Sequence, residues 1–210
     1  CETVLCALQQ LTGTEEGALR ALIIYKREGY IVSFSQHLNP SSEQIRWSGS
    51  ELRVLDTVLQ SMPPHLQRMT SLRYFYREPK TPAGMAMRNS LGHDYPGGYA
   101  DVGALNIVNP TFRVISHELG HIILRQTDFA VTDLLVKVGG EYIRSYSRSR
   151  PQEDFADLVS FYVNWPGKLK HIAPRKYQIM KKHVFQGHEY PDHQPDKGDP
   201  WVNAPANPSL

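Results

Sequence analysis

The chain has 210 residues, of which 40% are hydrophobic and 21% charged, and this composition is typical of a globular protein that buries a core. Its formal net charge of +2 is too small to indicate nucleic acid as the main partner. The apolar runs are short, whereas a membrane-spanning helix needs about 20 apolar residues, so we expect no transmembrane segment.

The sequence begins with Cys1, and its other cysteine is Cys6. Two cysteines so close together exclude a zinc finger and give no support to a disulfide scaffold. Mature bacterial lipoproteins begin with Cys, so one interpretation of Cys1 is a processed protein that is secreted or exported. The alternative is a shortened chain, for which a cytoplasmic location is open.

Helices are predicted in the first half of the chain from apolar spacing and end signals. Ala18, Leu22 and Tyr25 at helical spacing predict a helix over Glu15–Glu28 that Gly29 closes. A second helix follows Ser48, which forms a capping-box pattern with Glu51, and this helix stops at a Pro-Pro pair, residues 63–64.

Extended segments and a long loop complete this half. Strands are predicted at 30–34, 72–76 and 99–108. The loop between the last two, residues 81–98, is rich in Gly, Pro and Asn.

The second half is predicted to be mostly helical. Helices are expected over 112–125 and 129–138, and a third is expected from the Ser149 cap to about residue 164. A basic amphipathic helix near 175–185 is interpreted as a solvated face. Ser149 and Gln152 suggest a second capping box, and Pro151 suits a first-turn position. A Pro-rich tail, residues 187–210, is expected to be disordered or draped over the body.

The sequence His117-Glu118-Leu119-Gly120-His121 fits the pattern H-E-x-x-H. Helical residues at i and i+4 lie on one face, so both imidazoles can reach a single ion. Glu118 lies about 100° round the helix from His117, where it can activate a zinc-bound water without replacing it. The alternative is a pair of buried structural histidines, but buried imidazoles would each need a hydrogen-bond partner.

A catalytic zinc site needs three protein ligands and one open position. The metzincin solution is absent, because Leu124 and Thr127 occupy the positions of its Gly and third His. Glu153, at the start of the predicted helix that ends near residue 164, is the predicted third ligand. Asp157 lies one turn further on the same face and is predicted to accept a hydrogen bond from a metal-bound imidazole. The alternative for Glu153 is that it stabilises the helix N-terminus.

An H-E-x-x-H helix, followed by a helix with a Glu ligand and an acid four residues later, resembles the gluzincin metallopeptidases. Within them, the Glu-x-Phe-Ala-acid sequence at 153–157 resembles the anthrax lethal-factor-like branch, which includes the Pro-Pro endopeptidases. That branch carries a Tyr seven residues before the Glu ligand, which is thought to stabilise the oxyanion. The resemblance implies this role for Tyr146, with Tyr142 as a competing candidate.

The resemblance covers about residues 99–165. It implies that residues 99–108 act as the edge strand along which an extended protein or peptide substrate pairs. The gap between His121 and Glu153 is short for the lethal-factor-like branch. Another gluzincin branch, such as the ImmA/IrrE-like peptidases, therefore stays open.

These observations predict an α+β fold of zincin-like type, with a small mixed sheet whose edge strand lies beside the H-E-x-x-H helix and the Glu-bearing helix. We expect a single domain over residues 1–186, with its catalytic part at about 99–165. The predicted function is a metalloendopeptidase with one Zn²⁺ per chain, in which Glu118 activates the zinc-bound water. The alternatives are a zinc-binding sensor or interaction domain without turnover, and a zinc amidase acting on cell-wall peptide. The oligomeric state is not indicated by the sequence.

Overall fold

The structure, a computed structural model, describes residues 13–34, 46–77, 98–101 and 103–192. Its regular elements combine helices with one small sheet, which confirms the α+β expectation. Most of the predicted loop at 81–98, and the tail beyond residue 192, lie outside the described residues.

The elements are named in chain order. The helices are α1 (Glu15–Glu28), α2 (Gly49–Ser61), α3 (Pro64–Gln67), α4 (Phe112–Gln126), α5 (Phe129–Val138), α6 (Pro151–Asn164), α7 (Pro166–Ile172) and α8 (Pro174–Ile179). A 3₁₀ turn, Ser145–Ser149, precedes α6, and a π-helical segment, Met180–Val184, continues α8. The strands are β1 (Ile31–Phe34), β2 (Leu72–Arg77), β3 (Gly98–Asp101) and β4 (Gly103–Ile107).

The four strands form one mixed sheet in the order β1-β2-β4-β3. β1, β2 and β4 are parallel to one another, and β3 pairs antiparallel with β4. The prediction of one strand over residues 99–108 is therefore wrong. Gly98 lies opposite Ile107 and Asp101 opposite Ala104, so the chain reverses between the two halves of this segment. Both halves are extended, and for that reason the sequence pattern did not separate them. β3, rather than the whole segment, lies at the edge of the sheet.

The chain divides into two compact units, Cys1–Glu118 and Leu119–Leu210, and the boundary falls inside α4. The first unit contains the sheet and α1 to α3. Its core is formed by aromatic and aliphatic side chains from these elements and from the residues just before β1 and α2, among them Ile24, Tyr30, Trp47, Leu52, Leu55, Leu59, Phe75 and Leu105.

Polar contacts tie the helices and strands of the first unit together. Arg77, at the end of β2, donates to the Glu51 carboxylate at 2.8 Å and to the carbonyl of Val108 at 2.7 Å. Glu51 also completes the predicted capping box with Ser48, which is confirmed. Gly29 ends α1 at φ +81°, in the left-handed region that glycine adopts without steric cost.

The second unit is helical. The side chains of α6 are buried almost throughout, and they pack with residues of α7, α8 and the π-helical segment. Its core includes Phe155, Leu158, Val159, Tyr162, Val163, Leu169, Tyr177, Met180 and Phe185. Within the ranges that the structure describes, no helix is both long enough and apolar enough to cross a membrane.

The predicted capping box of Ser149 and Gln152 is wrong. Ser149 ends the 3₁₀ turn, and α6 begins at Pro151, so Arg150 takes the N-cap position and makes no side-chain capping hydrogen bond. The predicted first-turn place of Pro151 is confirmed. The short helices α3 and α7, each opened by a proline, were not predicted.

Candidate metal centre

The H-E-x-x-H residues lie on α4, a helix with one buried face. Ile115, Leu119 and Ile122 are fully buried, whereas His117 and His121 are half-buried. Glu118 is buried, with 5% of its surface exposed. A carboxylate is rarely buried unless a polar group or a metal ion accompanies it.

α6 supplies Glu153 from its first turn. Pro151 occupies the first helical position, where its missing N–H costs nothing, and acidic residues follow it. A carboxylate at this end of the helix is favoured by the helix dipole. The side chain of Glu153 is 22% exposed, so it is accessible from solvent at the helix end.

His117, His121 and Glu153 form one group, in which one potential ligand atom of each residue lies within 4.8 Å of those of the other two. His121 Nε2 and Glu153 Oε1 are 3.6 Å apart, which is longer than a hydrogen bond. Two ligands of a tetrahedral zinc ion, each about 2.0–2.2 Å from the metal, lie about 3.3–3.6 Å apart. The donor set of two imidazoles and a carboxylate therefore fits a divalent metal ion.

Gly120 allows α4 and α6, the two helices that carry the candidate ligands, to approach each other closely. A Cβ placed on Gly120 would lie 2.7 Å from the Cα of Ala156 and 3.2 Å from its carbonyl oxygen. These are backbone atoms, which cannot rotate away as a flexible side chain would. Gly120 directly precedes His121, and Ala156 lies three residues after Glu153, so this close approach fixes the separation of two of the candidate ligands.

Asp157, the predicted hydrogen-bond acceptor for a metal-bound imidazole, is 3% exposed. Its Oδ2 accepts a hydrogen bond from Arg144 Nε at 2.6 Å, and its Oδ1 lies 2.5 Å from a terminal nitrogen of the same guanidinium. The hydroxyl of Ser147 also donates to Oδ2. Arg144 and Ser147 flank Tyr146 in sequence, so Asp157 tethers the segment that carries Tyr146. Its hydrogen bond to an imidazole stays a prediction.

A second buried ion pair lies next to Glu153 in sequence. Lys176 is fully buried, and its Nζ is 2.8 Å from Asp154 Oδ2. Burial raises the pKa of the Asp154 carboxyl, and the Lys176 ammonium opposes this shift. The same ammonium lies 4.1 Å from the ring centre of Tyr142, a cation–π contact.

Tyr146 lies within the 3₁₀ turn, Ser145–Ser149. The position of its side chain is outside the described part of the structure. The roles predicted for Glu118 and Tyr146 therefore stay predictions, and the structure brings together His117, His121 and Glu153 as a possible metal-binding group.

Two residues that matter to this group were not identified from the sequence. Arg144 stands in a run of serines and arginines that looks like an ordinary polar surface, and only the folded chain brings it against α6. Gly120 offered a usable signal, because a glycine inside a buried helix costs about 1 kcal/mol relative to alanine and usually has a packing reason.

Comparison with known proteins does not name a family. No protein-family model matches the chain. A search of curated proteins also gave no match.

Proposed function

We propose that the protein is a zinc-dependent metalloendopeptidase of the gluzincin type, with His117, His121 and Glu153 as the metal ligands. The observation that carries the proposal is the group formed by these three residues, which come from two different helices and were each predicted from sequence as ligands. Within the described residues this group has three members, and a catalytic zinc site uses three protein ligands.

Zinc is the metal that this donor set suits best, because two neutral imidazoles and one carboxylate are borderline ligands that zinc binds in tetrahedral geometry. When bound, Zn²⁺ would supply a Lewis acid that polarises the substrate carbonyl and lowers the pKa of water. The zincin-like arrangement and the lethal-factor-like branch are part of this proposal and rest on the sequence resemblance.

The chain's own residues would carry the proton transfers. Glu118 is buried next to His117, where its carboxylate can accept a proton from the attacking water and pass it to the leaving amine. Tyr146, in the segment tethered by Asp157, would donate a hydrogen bond to the carbonyl oxygen as it gains negative charge. The substrate would be a protein or peptide in extended conformation, paired along β3 at the edge of the sheet.

Metal content is the first test of the proposal. The purified chain should contain about one zinc ion, measured by elemental analysis after zinc is supplied and excess is removed. Alanine at His117, His121 or Glu153 should lower the occupancy. His183→Ala is the matched control, because His183 is an exposed histidine of the π-helical segment, and it should leave occupancy unchanged. A chain without bound metal would contradict the proposal.

Turnover is tested with a proteome-derived peptide library and mass-spectrometric detection of cleaved bonds. Glu118→Gln should retain zinc and the fold, and should lose most of the cleavage, because an amide cannot accept the proton of the water. Zinc binding without cleavage of any peptide would favour the sensor or interaction domain. Isolated cell-wall peptide is assayed in parallel, and its cleavage without cleavage of any library peptide would favour the amidase.

A further inference from the structure

Arg144 stands directly before the 3₁₀ turn, and its guanidinium reaches the face of α6 that carries Glu153 and Asp157. It binds Asp157 through two of its nitrogens, at 2.6 Å and 2.5 Å. One of these two nitrogens also lies 4.0 Å from Glu153 Oε2, which is too long for a hydrogen bond but is within the range of an ion pair. One arginine therefore bridges two carboxylates that are four residues apart on a helix.

The two carboxylate oxygens of Glu153 face different groups. Oε1 is the atom 3.6 Å from His121 Nε2, on the side of the candidate metal, and Oε2 is the atom closest to Arg144. A carboxylate that rotates freely can present either oxygen or both to a metal ion. A fixed cation on the Oε2 side removes this freedom and leaves Oε1 as the ligand atom.

Arg144 is itself held in place. Its side chain is 20% exposed, and the side chain of its partner Asp157 is 4% exposed, so this ion pair is shielded from solvent. Asp157 is fixed further by the hydroxyl of Ser147. Carboxylates at i and i+4 of a helix repel each other, and a shared cation between them removes this repulsion.

We infer that Arg144, anchored on Asp157, is a positioning residue for Glu153: it attracts Oε2 and thereby presents Oε1 to the metal. The inference rests on the proposed metal site and adds a residue that the ligand pattern does not contain. Groups that orient a metal ligand from outside the coordination sphere typically contribute about 10–100-fold to metal affinity.

The test is the zinc affinity of the full chain, measured by competition with a chromogenic chelator in the absence of substrate. Arg144→Gln should bind zinc about 10–100-fold more weakly than the unsubstituted chain. Arg144→Lys keeps one positive charge beside Asp157 but lacks the planar fork that reaches both carboxylates. Its zinc affinity should therefore fall between that of the unsubstituted chain and that of Arg144→Gln.

Arg175→Gln is the matched control. Arg175 also pairs with a carboxylate, Glu141, at 2.6 Å, but within the described part of the chain no hydrogen bond or ion pair joins it to the three candidate ligands. Its substitution should leave zinc affinity unchanged. The melting temperature of each variant is measured with the metal removed by chelator, so that a loss of stability is distinguished from a loss of affinity.

A purely structural role for Arg144 would lower the metal-free melting temperature and leave the zinc affinity of the folded protein unchanged, and this result would overturn the inference. If circular dichroism shows that Arg144→Gln does not fold, the same comparison of zinc affinity and metal-free melting temperature is made on Arg144→Lys. Weakened zinc binding in a chain that cleaves no peptide would support the inference while the peptidase proposal fails. An unsubstituted chain that binds no zinc would overturn both.

Discussion

Tyr142 and Tyr146, the two candidates for the oxyanion donor, lie on either side of Arg144 in sequence. The ring of Tyr142 lies against the buried Lys176 ammonium at 4.1 Å, so this tyrosine already has a packing role. Tyr146 lies between Arg144 and Ser147, and both of these residues bind Asp157 on α6. The segment that carries Tyr146 is thereby held against the helix that also carries Glu153, and this favours Tyr146 as the oxyanion donor.

We expect Tyr146→Phe to lower kcat by about 10²–10³-fold, the usual effect of removing one hydrogen-bond donor to a developing oxyanion. KM and zinc content should change little, because the contact is made mainly in the transition state. Tyr142→Phe is the control, since phenylalanine keeps the ring that faces Lys176, and its kcat should be close to that of the unsubstituted chain. These values are measured on a peptide substrate identified from the library. The opposite ranking would transfer the role to Tyr142.

The two histidines of the candidate metal group could be predicted from sequence because their relation is local to a helix. His117 and His121 are one turn apart, so the spacing alone places both imidazoles on one face. Glu153 required one further assumption, that the next strong helix packs against α4, and the ligand group agrees with it. Arg144 could not be found in this way, since its contacts with Asp157 depend on how the chain folds between α5 and α6.

At the scale of secondary-structure elements, a glycine sets how closely α4 and α6 approach each other where they cross. Gly120 faces Ala156, and there is no space between the helices for one more carbon atom. Small residues at a helix contact permit this close approach, and close-packed interiors do not adjust freely to an added methyl group.

Gly120→Ala should therefore force the two helices apart. We expect a loss of about 1–3 kcal/mol in the free energy of unfolding, typical of an overpacked core, together with weaker zinc binding because His121 and Glu153 are separated. Denaturant unfolding and zinc titration measure the two effects. Gly49→Ala is the control, since its added Cβ would meet only the flexible side chain of Glu16, at 3.3 Å. A Gly120→Ala chain with unchanged stability and zinc affinity would contradict this account of the helix crossing.

Element boundaries were predictable where they depend on a few adjacent residues. The capping box of Ser48 and Glu51 formed as expected, and α1 ends where Gly29 permits a left-handed turn. The capping-box pattern failed at Ser149, because the 3₁₀ turn before α6 moves the start of the helix one residue further along the chain. The β3–β4 reversal was missed for a different reason, namely that periodicity does not report strand direction.

At the scale of the whole chain, the predicted tail begins with a segment that packs on the helical unit. Tyr162 donates to the carbonyl of His188 at 2.6 Å, and Asp192 accepts from the backbone N–H of Gly167 at 2.6 Å, at the start of α7. Tyr190 packs edge-on against Tyr162 and Phe185. Residues 188–192 of the predicted tail therefore pack on the helical unit.

Glu189 is the charged centre of this segment. It accepts a hydrogen bond from the Tyr177 hydroxyl at 2.7 Å and pairs with Lys181 at 2.9 Å and Lys170 at 3.3 Å. The Tyr177 hydrogen bond, followed by those of the two lysines, lowers the pKa of Glu189 from its ordinary 4.5 to about 2. The ionised carboxylate is thus preferred in the folded chain over the unfolded one.

A carboxyl whose pKa is lower in the folded state stabilises the fold above its unfolded pKa, and this contribution is lost as the pH falls toward its folded pKa. We therefore expect Glu189→Gln to melt at a lower temperature than the unsubstituted chain at pH 6–7, and the difference should close between about pH 4.5 and pH 2. Thermal unfolding in the presence of chelator measures this without a contribution from bound metal. Asp133→Asn, which replaces an exposed acid of α5, is the control and should show no such closing difference. A melting-temperature difference for Glu189→Gln that stays constant down to pH 2 would show that the contacts of Glu189 do not depend on its charge.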